Sequence, residues 1–136
     1  MKVIVCVDDN GGMMFNKRRV SKDRTVCADI ANDLGGRFLY TAEYSRSLFV
    51  ESRIPFIATD GFLDDASDED VCFVEDRCLL PYAEKIDEIT IYRWNRRYPS
   101  DLKLDIAPED MGLTLKETKD FQGYSHEKIT KETYAK

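Results

Sequence analysis

The stretch Val3 to Val7, reading VIVCV, is an unbroken apolar run rich in β-branched residues. A strand with one wet face alternates apolar and polar residues, so an unbroken run suits a strand buried on both faces. That demands a sheet covered by helices on each side. Asp8 to Gly12, reading DDNGG, then ends the strand. The rest of the chain must supply both covering layers, and 136 residues are enough for one core to do so. We read residues 1–136 as a single domain. With 43% hydrophobic and 34% charged residues, the chain is expected to fold and stay in solution. The opening apolar run is far too short for a signal-peptide core or a membrane span. The cytoplasm is therefore the default location, and no membrane partner is expected.

The remaining elements follow from periodicity and breakers. Met13, Met14 and Phe15 read as an apolar patch in a loop. Ser21 is expected to cap a helix running to about Leu34, in which Val26, Ile30 and Leu34 form one stripe. Gly35 and Gly36 stop it. Strands are predicted over 37–41, 55–59, 71–74 and 88–94, and a short helix over 43–49. Another short helix is predicted over 77–86, bent or ended early by Pro81. LTLKETK from Leu113 and HEKITKETY from His126 read as two antiparallel strands joined by a link containing Gly123. The fold class is α/β: three layers, a mostly parallel central sheet, an antiparallel C-terminal β-pair and helices on both faces.

The cysteines, Cys6, Cys27, Cys72 and Cys78, contain no C-x-x-C pair, and the only histidine is His126. A zinc site is not expected from them; mostly buried free thiols are. The net charge of −6 is uneven. Residues 60–70, DGFLDDASDED, hold six acidic residues and read as a solvated loop or helix start. Residues 17–24, KRRVSKDR, hold five basic ones, Lys17, Arg18, Arg19, Lys22 and Arg24, which are the candidates for holding a small anion. Overall acidity argues against general nucleic-acid binding.

Four segments occur in an order that resembles dihydrofolate reductase. MKVIVCVDDNGGMMFN is similar to that family's first strand and active-site loop. SKDRTVCADIANDL resembles its first helix, and RFLYTAEYSRSL its next strand with the start of a cofactor-binding helix. CFVEDRCLLPYAEKIDEITIYRW resembles its strand, Gly-Gly turn, helix and long strand, with Leu80-Pro81, Ala83 and Asp87-Glu88 in place. The resemblance implies a dihydrofolate reductase-like three-layer fold over nearly the whole chain. It also implies cofactor positions at Thr41, Glu75 and Asp76, and a catalytic carboxylate at Asp23.

The departures bear on activity. The family's glycine pair lets backbone approach a pyrophosphate closely. Here Glu75 and Asp76 stand at that turn, placing negative charge where phosphate belongs and supporting the following helix through its dipole. Thr41, Ala42 and Glu43 replace the Gly, Arg and Thr of the second phosphate step, and the acidic segment 60–70 stands where a helix is expected. The flanking Lys22 and Arg24 favour the ionised form of Asp23. No cofactor is therefore expected, and NADPH in particular is not expected to bind. The N-terminus also resembles that of small proteins labelled ribonuclease Z. That activity needs a His-rich two-metal site, which one histidine cannot supply.

Three function classes stay open. One is a non-catalytic small-molecule-binding or regulatory module on this scaffold. Another is a divergent NAD(P)H- or flavin-dependent reductase, with the Met13–Phe15 patch lining an apolar pocket near Asp23. The third is an anion- or RNA-binding protein using the 17–24 segment, with Arg93, Arg96, Arg97 and a base-stacking Trp94.

Overall fold

A computed structural model describes all residues, 1–136. Strand β1, Lys2–Val7, lies at the centre of the main sheet. Two further short strands, β2 (Gly12–Phe15) and β3 (Arg18–Arg19), precede helix α1, Arg24–Leu34. Then come β4 (Leu39–Thr41), α2 (Arg46–Ser52), β5 (Phe56–Ala58), α3 (Phe62–Asp65) and β6 (Val71–Phe73). The chain closes with β7 (Glu88–Arg93), β8 (Leu102–Lys103), β9 (Thr114–Phe121) and β10 (Ile129–Ala135). The main sheet runs β5-β4-β6-β1-β7-β10-β9. Its first five strands are parallel, and β10 pairs antiparallel to both β7 and β9. The mostly parallel sheet with an antiparallel C-terminal pair is thus as read from the sequence.

The two-faced burial of β1 explains the apolar run. Val3, Val5 and Val7 pack with Phe62, Leu63, Leu79 and Ile86 on one side of the sheet. Ile4 packs on the other with Val26, Ile30 and Leu34 of α1 and with Leu48 and Phe49 of α2. Gly35 ends α1 in the left-handed region at φ 57°, where glycine costs nothing.

Several local expectations need correction. A second, three-stranded sheet, β3-β2-β8, stands beside the main one. Met13 and Met14 lie in its strand β2 and are buried, while Phe15 is exposed. Asn16 and Lys17 make the β2–β3 turn, both at positive φ as a tight hairpin requires. The cap of α1 is Asp23, not Ser21, because the Asp23 side chain accepts from the Thr25 N–H at 2.8 Å. The helix expected over 77–86 is instead a 3₁₀ helix, Leu80–Lys85, with Pro81 in its first turn, where a missing N–H is tolerated. Of the four cysteines, Cys78 is exposed. No helix is long and apolar enough to cross a membrane.

Candidate functional site

Parallel strands deliver their C-terminal ends to one edge of the sheet, where open α/β folds place ligands. Here Glu75 follows β6 by two residues and is buried. The β2–β3 hairpin brings Arg19 against it. Arg19 Nε donates to Glu75 Oε1 and Nη2 donates to Oε2, both at 3.0 Å. Ser45 Oγ donates to the same carboxylate at 2.6 Å. Burial works against the Arg19 charge, but the Glu75 carboxylate holds its proton more firmly than usual. Between this cluster and α1 only about 20 Å³ remains open. That cavity is lined by Cys6, Met13, Ser21, Asp23 and Trp94 among others.

Glu75 and Asp76 therefore do not act on a helix dipole. No α-helix starts after them, and Asp105 accepts the leading N–H groups of Leu79 and Leu80 at 2.8 and 3.0 Å. Asp76 pairs with its neighbour Arg77 at 2.9 Å. Nor does bare negative charge occupy the turn, because each carboxylate has an arginine. Thr41 is fully buried and donates its hydroxyl to the Phe73 carbonyl at 3.0 Å, tying β4 to β6.

A second cluster forms at the N-terminus of α1. Asp23 is buried and accepts from the N–H groups of Thr25, Tyr124 and Ser125 at 2.8, 2.9 and 2.9 Å. His126 Nδ1 lies 2.8 Å from Asp23 Oδ2. Burial by itself would raise the Asp23 pKa, but the Tyr124, His126, Ser125 and Thr25 hydrogen bonds outweigh it and hold the carboxyl well below the usual range. An ionised carboxylate only accepts, so His126 Nδ1 carries a proton, and in the neutral imidazole Nε2 is then the acceptor. Ser21 Oγ is 2.9 Å from that Nε2. Tyr98 Oη approaches both, at 3.2 Å from Nε2 and 3.3 Å from Ser21 Oγ. The imidazole stacks on Trp94, with centroids 4.6 Å apart at 22°. Trp94 is buried and so cannot offer a stacking face to a base; its Nε1–H has no hydrogen-bond partner.

The basic segment 17–24 is divided rather than gathered. Arg19 points inward to Glu75, Lys22 pairs with Glu51 at 3.3 Å, and Arg24 lies over the Tyr124 ring at 4.4 Å. Lys17 and Arg18 are exposed on the hairpin. Lys22 and Arg24 do share one feature, a groove of about 490 Å³ between α1, the end of α2 and the 124–125 turn. Arg53, at the C-terminus of α2, lines it too. Two residues central to these clusters, Ser45 and His126, were missed by sequence reasoning. Both owe their roles to partners 30 and about a hundred residues away. No three of the His, Cys, Asp and Glu side chains converge in a metal-holding arrangement.

Neither a family model nor a curated protein sequence matches the chain. A solved structure does. Dihydrofolate reductase from Enterococcus faecalis, complexed with NADP(H) and RAB-propyl, superposes with a TM-score of 0.66 over 98% of this chain and 94% of that one. The fold is dihydrofolate reductase-like. At 10% identity the likeness extends to the architecture and no further. On this dihydrofolate reductase-like scaffold, the Arg19–Glu75–Ser45 cluster, the Asp23–His126 cluster and the adjoining groove are the features that can carry a function.

Proposed function

We propose that the chain is a small-molecule-binding module on a dihydrofolate reductase-like scaffold that carries out no NADPH-dependent hydride transfer. The observation that carries this reading is the bidentate Arg19–Glu75 pair with Ser45 beneath it. These three side chains fill the crevice at the strand ends and commit the Glu75 carboxylate to Arg19 and Ser45. The obstacle to a diphosphate is occupied space and committed donors, since the Glu75 charge is already matched. Opening the crevice would mean separating a largely desolvated ion pair.

The seat for a ligand in this reading is the groove of about 490 Å³. That volume suits a small organic molecule. Lys22, Arg24 and Arg53 give its rim a positive character, and Tyr124 adds an aromatic face. Glu51 is taken up by Lys22, and the Asp23 charge is met by backbone N–H groups and His126. A planar ligand carrying an anionic group fits this chemistry. Titration of NADPH against Trp94 fluorescence, with calorimetry, tests the first half of the reading, and no saturable binding below millimolar concentration is expected. Micromolar binding accompanied by dihydrofolate-dependent NADPH oxidation would restore the reductase reading. Melting temperature against a panel of aromatic carboxylates and phosphates tests the second half, because a ligand of the folded state raises it by mass action.

A further inference from the structure

The binding reading makes no use of one constellation. We propose that Ser21, His126 and Asp23 form a nucleophilic relay that acylates Ser21 from short-chain esters. The relay has the two contacts such chemistry requires: nucleophile to base, Ser21 Oγ to His126 Nε2 at 2.9 Å, and base to orienting carboxylate, His126 Nδ1 to Asp23 Oδ2 at 2.8 Å. The tautomer is correct for the task, because an ionised Asp23 leaves Nε2 free to take the serine proton. Asp23 acts through His126 and is a positioning residue, itself fixed by three backbone N–H groups. Trp94 stacks on the imidazole and Tyr98 Oη donates to Ser21 Oγ at 3.3 Å, so the serine donates to His126 while accepting from Tyr98.

The surroundings complete the argument. Ser21 is half-buried and lines the cavity beside Asp23, where the buried Trp94 Nε1–H still lacks an acceptor. With about 20 Å³ open, the acyl part must be small, of acetyl size, while the alcohol part stays toward solvent beside the exposed Lys22. The neighbouring thiols are poor competitors, since burial raises Cys6 and Cys27 above their ordinary values.

In the forward step Ser21 Oγ attacks the ester carbonyl carbon and its proton passes to His126 Nε2. The carbon–oxygen bond to the alcohol breaks, and His126 returns the proton to the departing alkoxide. Water then attacks the acyl-serine through the same base, releasing the carboxylic acid and regenerating the hydroxyl. The reaction needs no oxidant, reductant or further reactant.

The test is incubation of the whole chain with p-nitrophenyl acetate, reading p-nitrophenol release and peptide-mapped acetyl mass. We expect an acetyl adduct on Ser21, lost in Ser21→Ala and regained as a thioester in Ser21→Cys. His126→Asn should slow acylation by about 100-fold or more, the usual contribution of a general base. Asp23→Asn should lower kcat and change the shape of the pH dependence of acylation, whereas partial unfolding would scale the whole profile down without changing its shape. Because the His126 and Asp23 variants can fold poorly, Ser21→Ala with an unchanged melting temperature is the deciding variant. Acetylation spread over lysines at the same rate in Ser21→Ala, or no adduct on Ser21, would overturn the proposal.

Discussion

Two buried carboxylates stand within one small region, and the chain has settled them differently. Glu75 is met by a guanidinium and a hydroxyl, both of them side chains. Asp23 is met by three backbone N–H groups and a histidine. A carboxylate neutralised by a side chain is a removable plug, since both partners can be exchanged together for apolar residues. One satisfied by backbone cannot be exchanged that way, because the N–H groups of the 124–125 turn remain whatever replaces it. The first arrangement closes a space, and the second fixes where the chain returns to α1.

The difference is most severely tested by Asp23→Ala. That change strands the Tyr124 and Ser125 N–H groups and removes the cap of α1. A loss on the order of 3–5 kcal/mol in urea unfolding is expected. Acid titration sharpens the point. The Asp23 pKa is lowered on folding, so its contribution is whole above the unfolded value of about 4 and drains away as pH falls below it. Asp23→Asn should therefore flatten the acid limb of the stability profile. An unchanged slope would mean that the hydrogen bonds do not favour the charged form.

The plug gives a smaller effect of a different kind. Glu75→Ala is expected to cost about 2–3 kcal/mol, below the figure for a sealed pair because the Arg19 side chain keeps 19% of its exposure. Combining Arg19→Met with Glu75→Leu should return most of that loss. If the double variant is worse than either single one, the pair is not a plug. NADPH affinity in Glu75→Gly with Asp76→Gly asks whether emptying the crevice restores a phosphate seat.

The smallest effect concerns Gly123. A Cβ there would lie 2.6 Å from Asp23 Oδ2 and 2.9 Å from the His126 carbonyl oxygen. Both atoms are fixed by hydrogen bonds, so neither can give way cheaply. Gly123→Ala should cost about 1–3 kcal/mol by overpacking, seen as a lowered urea midpoint with unchanged slope.

The parallel sheet was legible because its information is local. The β1 run, the stripe of α1 and Gly35 each announce themselves within a few residues. The second sheet was hidden because strands of two to four residues have no period to detect. The capping of α1 was displaced because serine and aspartate are equally good caps, and only the fold assigns Ser21 to His126 instead. Asp23 was found through its resemblance to a family position, but its partners were not. A lone histidine carries no local sign that it will stack on Trp94 and meet a carboxylate 103 residues earlier. The crevice followed the same rule: Glu75 was noticed at the turn, while Arg19, 56 residues away, stood among the candidates for holding a small anion.

That separation of 103 residues also sets a clock. Translation adds roughly 5–20 residues per second, so about 5–20 seconds pass between the emergence of Asp23 and that of His126. During that interval the nascent chain can wind α1 but has no turn with which to secure its start. Strand β10, which joins β9 to the rest of the sheet, arrives later still. A ribosome stalled before residue 124 would hold a chain whose parallel half is complete in sequence yet unlatched at both places, and it is that intermediate which chaperones would meet.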